Sequence, residues 1–181
     1  MEILRTIAFY TESKKLNFVI IGGHAVNSYG ISRHTADIDL VVPLEDKSLW
    51  QELMNKLNYS EGQSDNRFSR FRPKNLDNWP IDIMYVDNTT FEKIYNTSKQ
   101  ATFGEAEVKV ASAEHLILMK LHALKFFQEH RYAKDYSDLI SLIRSIRLEP
   151  ASNDFKKQCE KYASIELYQQ IIRDFKKNEK Q

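Results

Sequence analysis

Phe18-Val19-Ile20-Ile21-Gly22-Gly23-His24-Ala25-Val26 and, at residues 37–43, Asp37-Ile38-Asp39-Leu40-Val41-Val42-Pro43 are the two stretches on which the reading of the fold turns. The first is a short β-branched run without polar interruption, the pattern of a buried strand, and Gly22-Gly23 ends it in a turn. Residues 24–29 then predict a short helix closed by Gly30. The second stretch predicts another strand, opened by two acids and stopped by Pro43. Its alternation sets Ile38 and Leu40 on one face and Asp37 and Asp39 on the other.

Outward from these strands the chain reads in the same terms. Residues 2–14 carry Ile3, Leu4, Ile7, Ala8 and Tyr10 near helical spacing, and residues 45–58 place Leu49, Trp50, Leu53 and Leu57 on one helical face. The polar segment 59–79 interleaves Arg67, Arg70 and Arg72 with Phe68 and Phe71, which predicts an edge strand or hairpin with arginines on one side. Pro80-Ile81-Asp82-Ile83-Met84-Tyr85-Val86 is a third strand, and residues 105–110 are a further short one. Ser112 stands where it can cap a following helix. From there the pattern is helical, with breaks near His130 and at Pro150. Mixed strands and helices followed by helices alone predict an α+β fold. The expected organisation is a core over residues 1–110 and a helical part over residues 111–181 packed on it.

Composition narrows the classes. Of the 181 residues, 42% are hydrophobic and 28% charged, enough apolar surface for a real core and against disorder. The net charge of +1 supplies no global field for a polyanion or acidic membrane, so contact with nucleic acid would need a local basic patch. A single cysteine, Cys159, excludes an internal disulfide framework and a cysteine-based zinc site. The N-terminus reads as an amphipathic helix without signal-peptide features, and no run approaches the roughly 18 apolar residues of a membrane span. A cytoplasmic protein without membrane contact is the expectation.

Two carboxylates held two residues apart on a strand repel each other unless a cation sits between them. Asp82, set between Ile81 and Ile83 in a separate apolar strand, is a third acid without structural need. Three acids on neighbouring strands could hold two metals about 3.5–4 Å apart, the arrangement for in-line phosphoryl displacement. Gly22-Gly23 would let backbone approach phosphate without a Cβ in the way. Arg33 and Thr35 would add a phosphate-binding charge and a hydroxyl. Each feature also has a structural account: Asp37 capping a turn, Asp39 paired with an arginine, Asp82 ending a strand, an ordinary strand-to-helix turn, solvated loop residues. Neither a P-loop nor a dinucleotide-binding fingerprint is present.

Ile21-Gly22-Gly23-His24-Ala25-Val26 with Arg33-His34-Thr35-Ala36-Asp37-Ile38-Asp39-Leu40 resembles the signature of the DNA polymerase β-like nucleotidyltransferase superfamily. Leu118-Met119-Lys120-Leu121-His122-Ala123 and Arg131-Tyr132-Ala133-Lys134-Asp135-Tyr136-Ser137-Asp138-Leu139 make it similar, within that superfamily, to the AbiEii-type toxins of abortive-infection and toxin–antitoxin systems. The resemblance spans about residues 18–143. It implies a nucleotidyltransferase-type twisted mixed sheet flanked by helices, and transfer of a nucleoside monophosphate from an NTP with loss of pyrophosphate. It also implies two Mg2+ ions, or Mn2+ in their place. Carried over by motif, Gly22 and Gly23 cradle the phosphates, and Asp37, Asp39 and Asp82 bind metal, with Asp82 the candidate base. Lys120 contacts phosphate, and Asp138, with Asp135, lies on the helix closing the site. His24 departs from the Ser or Thr that usually follows the glycines, which bears on the acceptor more than on the chemistry.

Read from spacing alone, Lys120 is expected to snorkel out of its apolar helix, and Asp135 and Asp138 to form a solvated face. His115 and His122 read as packing or surface residues, and Cys159 as non-catalytic. The arginines around Phe68 and Phe71 fit either an NTP or RNA backbone contact or a charged edge strand. The expected partners are an NTP, an acceptor hydroxyl on the tRNA 3′ end or a protein, and a cognate antitoxin. A small-molecule antibiotic acceptor and a non-catalytic nucleotide- or partner-binding module are the alternatives.

Overall fold

The computed structural model describes residues 2–75, 78–126 and 129–178. These form two compact units, Met1–Ser28 with Ser32–Ser112, and Tyr29–Ile31 with Ala113–Gln181.

The first unit is built on a seven-stranded mixed sheet in the order β3-β4-β5-β2-β1-β7-β6. Its strands are β1 (Val19–Ile21), β2 (Ile38–Pro43), β3 (Tyr59–Ser64), β4 (Phe68–Pro73), β5 (Ile81–Val86), β6 (Lys99–Phe103) and β7 (Ala106–Val110). β1 is buried at every residue, as its unbroken β-branched run requires. It pairs antiparallel with β2 and parallel with β7, while β2 pairs parallel with β5. Helix α1 (Glu2–Lys14) buries Ile3, Leu4, Ile7 and Thr11 and lies on β7. Helix α2 (Gly22–Asn27) packs on β1 and β2. A 3-10 turn (Leu44–Asp46) leads into α3 (Lys47–Lys56), which packs on β3. The buried stripe of α3 is Trp50, Leu53 and Met54, whereas Leu49, expected on that stripe, is 48% exposed. Positions 50, 53, 54 and 57 recur at the helical spacing, and Leu49 is one step of rotation away from them.

Two further differences from the sequence expectation concern strands and connections. Segment 59–79 does contain a hairpin, but only β3 is at the sheet edge. β4, which carries the arginines, is interior, between β3 and β5. A charged edge strand is therefore not the explanation for Arg70. The stretch after β5, unassigned from sequence, forms α4 (Asn88–Thr97) and β6. Asp87 caps α4 by accepting a hydrogen bond from the Thr90 N–H at 2.9 Å.

The second unit contains α5 (Ala113–Lys125), α6 (Glu129–Ser145), α7 (Asn153–Tyr162) and α8 (Ile165–Asn178). α5 packs against α6 and α7, and α7 against α8, around Leu116, Leu121, Leu139, Leu142, Phe155 and Ile171. Pro150 falls between α6 and α7, and a second break at Ala163-Ser164 separates α7 from α8. Among the described residues no helix is long and apolar enough to cross a membrane.

Candidate active site

Strand register brings the acids together. Asp39 and Asp82 are direct partners in the parallel pairing of β2 with β5, and neighbouring partners in a sheet share a face. Ile38, Leu40, Ile81 and Ile83 are wholly buried on the opposite face and hold both strands in this register. Asp37 lies in the bend just before β2. A carboxylate oxygen from each of Asp37, Asp39 and Asp82 lies within 4.8 Å of the other two. At that separation and an effective dielectric near 20, each like-charge pair costs roughly 3 kcal/mol.

The surrounding residues are arranged to hold the acids in place. The Thr35 hydroxyl, buried, donates to Asp37 Oδ1 at 3.1 Å. Asn27 Nδ2 donates to the Arg33 carbonyl at 3.0 Å, tying the loop before β2 to the end of α2. Gly22 has φ +63°, and a Cβ there would overlap the Asp39 carboxylate and stand 2.8 Å from Asp39 Cβ. A Cβ on Gly23 would overlap Arg33 Nη1 and stand 2.5 Å from Thr35 Oγ1. The two glycines thus let the backbone turn pack directly onto Asp39 on one side and onto Arg33 and Thr35 on the other.

Arg70 completes the row. It is the partner of Asp82 in the antiparallel pairing of β4 with β5. Its Nε donates to Asp82 Oδ1 at 2.8 Å and its Nη2 to Asp82 Oδ2. The hydrogen bonds to Asp82 lead the effects that raise the Arg70 pKa; burial opposes them, and the charges of Asp82, Asp37 and Asp39 add to the rise. Spacing marked Arg70 as interesting but could not reveal this partner, because register between distant strands is not written in either strand.

His24, which departs from the motif's usual Ser or Thr, is 6% exposed, and its Nε2 has no hydrogen-bond partner among the described residues. Its ring sits 5.0 Å from the Trp79 ring and 6.0 Å from the Phe103 ring. Burial lowers its pKa, Asp37 partly offsets this, and Arg33 adds to the lowering.

Lys120, Asp135 and Asp138 belong to the helical unit. Lys120 does not snorkel: it is buried, and its Nζ lies 2.6 Å from Asp135 Oδ1 and 2.7 Å from Asp138 Oδ2. Both aspartates are buried as well, so they are not a solvated face. Arg131 adds a longer contact to Asp135 at 3.8 Å. His115 is half-buried and His122 exposed, its ring beside Phe126. Burial pushes the Cys159 thiol up to about 12, which suits packing and not nucleophilic chemistry.

The donor set fits a hard divalent cation. It is all oxygen, comes from three carboxylates, is partly open at Asp37 and Asp39, and lies against a glycine turn without side chains. A mixed sheet carrying such acids beside a strand-to-helix glycine turn is the core of a nucleotidyltransferase. The chain belongs to the family described as nucleotidyl transferase AbiEii toxin of type IV toxin–antitoxin systems, whose pattern matches residues 3–181. A sequence comparison with curated proteins returned no match. Solved structures share the fold. ANT(2″)-Ia with adenylyl-2″-tobramycin superposes with TM-score 0.62 at 14% identity, over 81% of this chain and 90% of that one. The lincosamide adenylyltransferase LnuA with lincomycin gives 0.55 at 14% identity, over 77% and 93%. A nucleotidyltransferase-like antigenic protein from Paracoccidioides brasiliensis gives 0.55 at 17% identity, over 79% and 74%.

Proposed function

We propose that the protein is a metal-dependent nucleotidyltransferase that moves a nucleoside monophosphate from an NTP to a hydroxyl acceptor. The convergence of Asp37, Asp39 and Asp82 within 4.8 Å is the observation that carries this reading. These three residues would hold two divalent cations, Mg2+ or Mn2+. When bound, the cations would supply Lewis-acid polarisation of the α-phosphate and lower the pKa of the attacking hydroxyl. The acceptor oxygen forms a bond to the α-phosphorus as the bridging bond to the β-phosphate breaks, and pyrophosphate leaves.

The chain's own residues set the geometry of that displacement. Thr35 aims the Asp37 carboxylate, the β2–β5 register fixes Asp39 beside Asp82, and Asp82 is the candidate base for the acceptor proton. Gly22 and Gly23 are assigned to the triphosphate on the family motif, and their missing side chains leave room for Asp39 and for Arg33 and Thr35 to pack against the same turn. Lys120 and Asp138 are assigned to nucleotide binding on the family motif.

The family's toxin role favours a tRNA 3′ end or a protein hydroxyl as acceptor, with a cognate antitoxin in the cell. The fold shared with ANT(2″)-Ia and LnuA favours a second reading, adenylylation of an antibiotic hydroxyl. A non-catalytic nucleotide-binding module is the third.

Incubation with each α-labelled NTP, Mg2+ and either total RNA, lysate protein or aminoglycoside and lincosamide separates the three. The expected result is label transferred to RNA or protein and abolished by Asp39→Ala. Label on the drug alone selects the second reading. Nucleotide-dependent thermal stabilisation without transfer to any acceptor selects the third.

A further inference from the structure

We propose that Arg70 is a resident counter-cation of the acidic site that competes with divalent metal for Asp82, so that metal entry requires the guanidinium to leave. The inference rests on the reading of Asp37, Asp39 and Asp82 as the metal site.

The geometry of the pair carries it. Arg70 grips Asp82 through both carboxylate oxygens, Nε on Oδ1 at 2.8 Å and Nη2 on Oδ2. This is the planar fork that guanidinium makes with carboxylate, and it uses both oxygens at once. Asp82 is only 6% exposed, and one of its oxygens lies within 4.8 Å of oxygens of Asp37 and Asp39, so a cation shared by the three acids would have to use the carboxylate that Arg70 holds. A magnesium ion takes oxygen ligands at about 2.0–2.1 Å in near-octahedral order and does not tolerate a distorted approach. With the fork in place, a dication on the same carboxylate would stand close to a like-charged guanidinium, and the two repel.

Arg70 also has somewhere to go. Its side chain is 35% exposed, unlike that of Asp82. Its guanidinium carbon already lies 5.8 Å from the centre of the Phe68 ring, two residues earlier on the same face of β4. A guanidinium displaced from Asp82 keeps a cation–π contact there. In the metal-free protein Arg70 partly neutralises three acids that would otherwise repel. With metal bound that task passes to the dication. Arg70 is thus a positioning residue that sets the apparent metal affinity. A competing state populated about nine parts in ten weakens the apparent Kd about tenfold.

The test is Mn2+ binding to nucleotide-free protein, read by the electron paramagnetic resonance signal of free Mn2+, for the wild type, Arg70→Gln, Asp82→Asn and Asp39→Ala. Arg70→Gln is expected to bind Mn2+ about tenfold more tightly than wild type. It should also show a lower Tm without metal and a larger rise in Tm with it. Equal or weaker Mn2+ binding by a natively folded Arg70→Gln overturns the proposal while leaving the metal site intact. Absence of Mn2+ binding by wild type, or binding unaffected by Asp39→Ala, removes the metal site and this proposal with it. Should Arg70→Gln not fold, the Arg70 Nε–H resonance of wild type decides. It is expected to shift on Mg2+ addition, and a signal unmoved at saturating Mg2+ overturns the proposal.

Discussion

At the scale of single residues, two positions separate packing from strain. Gly22 has φ +63° and the Asp39 carboxylate against its Cα; Gly30 has φ +76° and nothing within 4 Å of the place a methyl group would take. Alanine at either meets the left-handed penalty of about 1–3 kcal/mol. Gly22→Ala must in addition push Asp39 aside. Both variants are expected to lose stability in urea, but only Gly22→Ala should also lose the Mg2+-dependent rise in Tm. His24 supplies a pH dependence. Burial lowers its folded pKa below the ordinary value of 6.5. The unfolded chain therefore binds more protons as pH falls through that value, and stability decreases. His115 is lowered by burial too and acts in the same direction. Urea midpoints are expected to be flat above about pH 7.5 and to fall from there toward about pH 5, with a shallower fall in His24→Phe, whose ring suits the Trp79 and Phe103 neighbours. An unchanged slope in His24→Phe would assign the effect to other groups. The Asp37 and Asp39 pair was legible as two acids two residues apart beside an apolar strand, but Asp37 itself lies in the bend before β2 and is held by Thr35, so strand alternation alone does not place it. The burial of His24 was not legible, since nothing local says that Trp79 and Phe103 will close around it.

Among elements, the same contrast appears in α5 and α6. Helical periodicity located both, yet it placed Lys120 outside and Asp135 and Asp138 on a wet face. Periodicity describes one helix against an average apolar surrounding, and the buried ion triad exists only because the two helices meet. Lys120→Met would leave two buried carboxylates facing each other, at a cost of roughly 3–5 kcal/mol. The expected outcome is a large loss in the urea midpoint that Lys120→Arg partly restores; a Lys120→Met protein of native stability would contradict it. α4 and β6 show a different limit. Asp87 followed by Thr90 is a readable start signal, but Asn88–Thr97 is rich in Asn and Thr, weak helix formers, and owes its helix to the burial of Phe91 and Ile94. β4 shows a third limit: Phe71 is wholly buried and Arg70 faces an acid, so its alternation is that of an interior strand with an ionic face.

For the whole molecule, strand order sets which hydrogen bonds open last. β1, β2, β4, β5 and β7 each have two neighbours, whereas β3 and β6 have one. Amide exchange is expected to be slowest in β1, β2 and β5, where side chains are almost all buried, and fastest in β3 and β6. Mass-spectrometric exchange that found β3 protected as strongly as β2 would contradict the sheet order. Strands interspersed with helices, a helical C-terminal part, the glycine turn and the paired acids are local patterns of period, spacing and residue type, and the order of residues along the chain suffices to announce them; that the sheet is mixed followed only from the family resemblance. The meeting of Asp82 with Asp39, the fork from Arg70 and the burial of Lys120 between two aspartates depend on which distant segments pair and in what register. Those choices are made by the collective burial of Ile38, Leu40, Ile81, Ile83 and their neighbours, an energy that belongs to the assembled core and to no single stretch of chain.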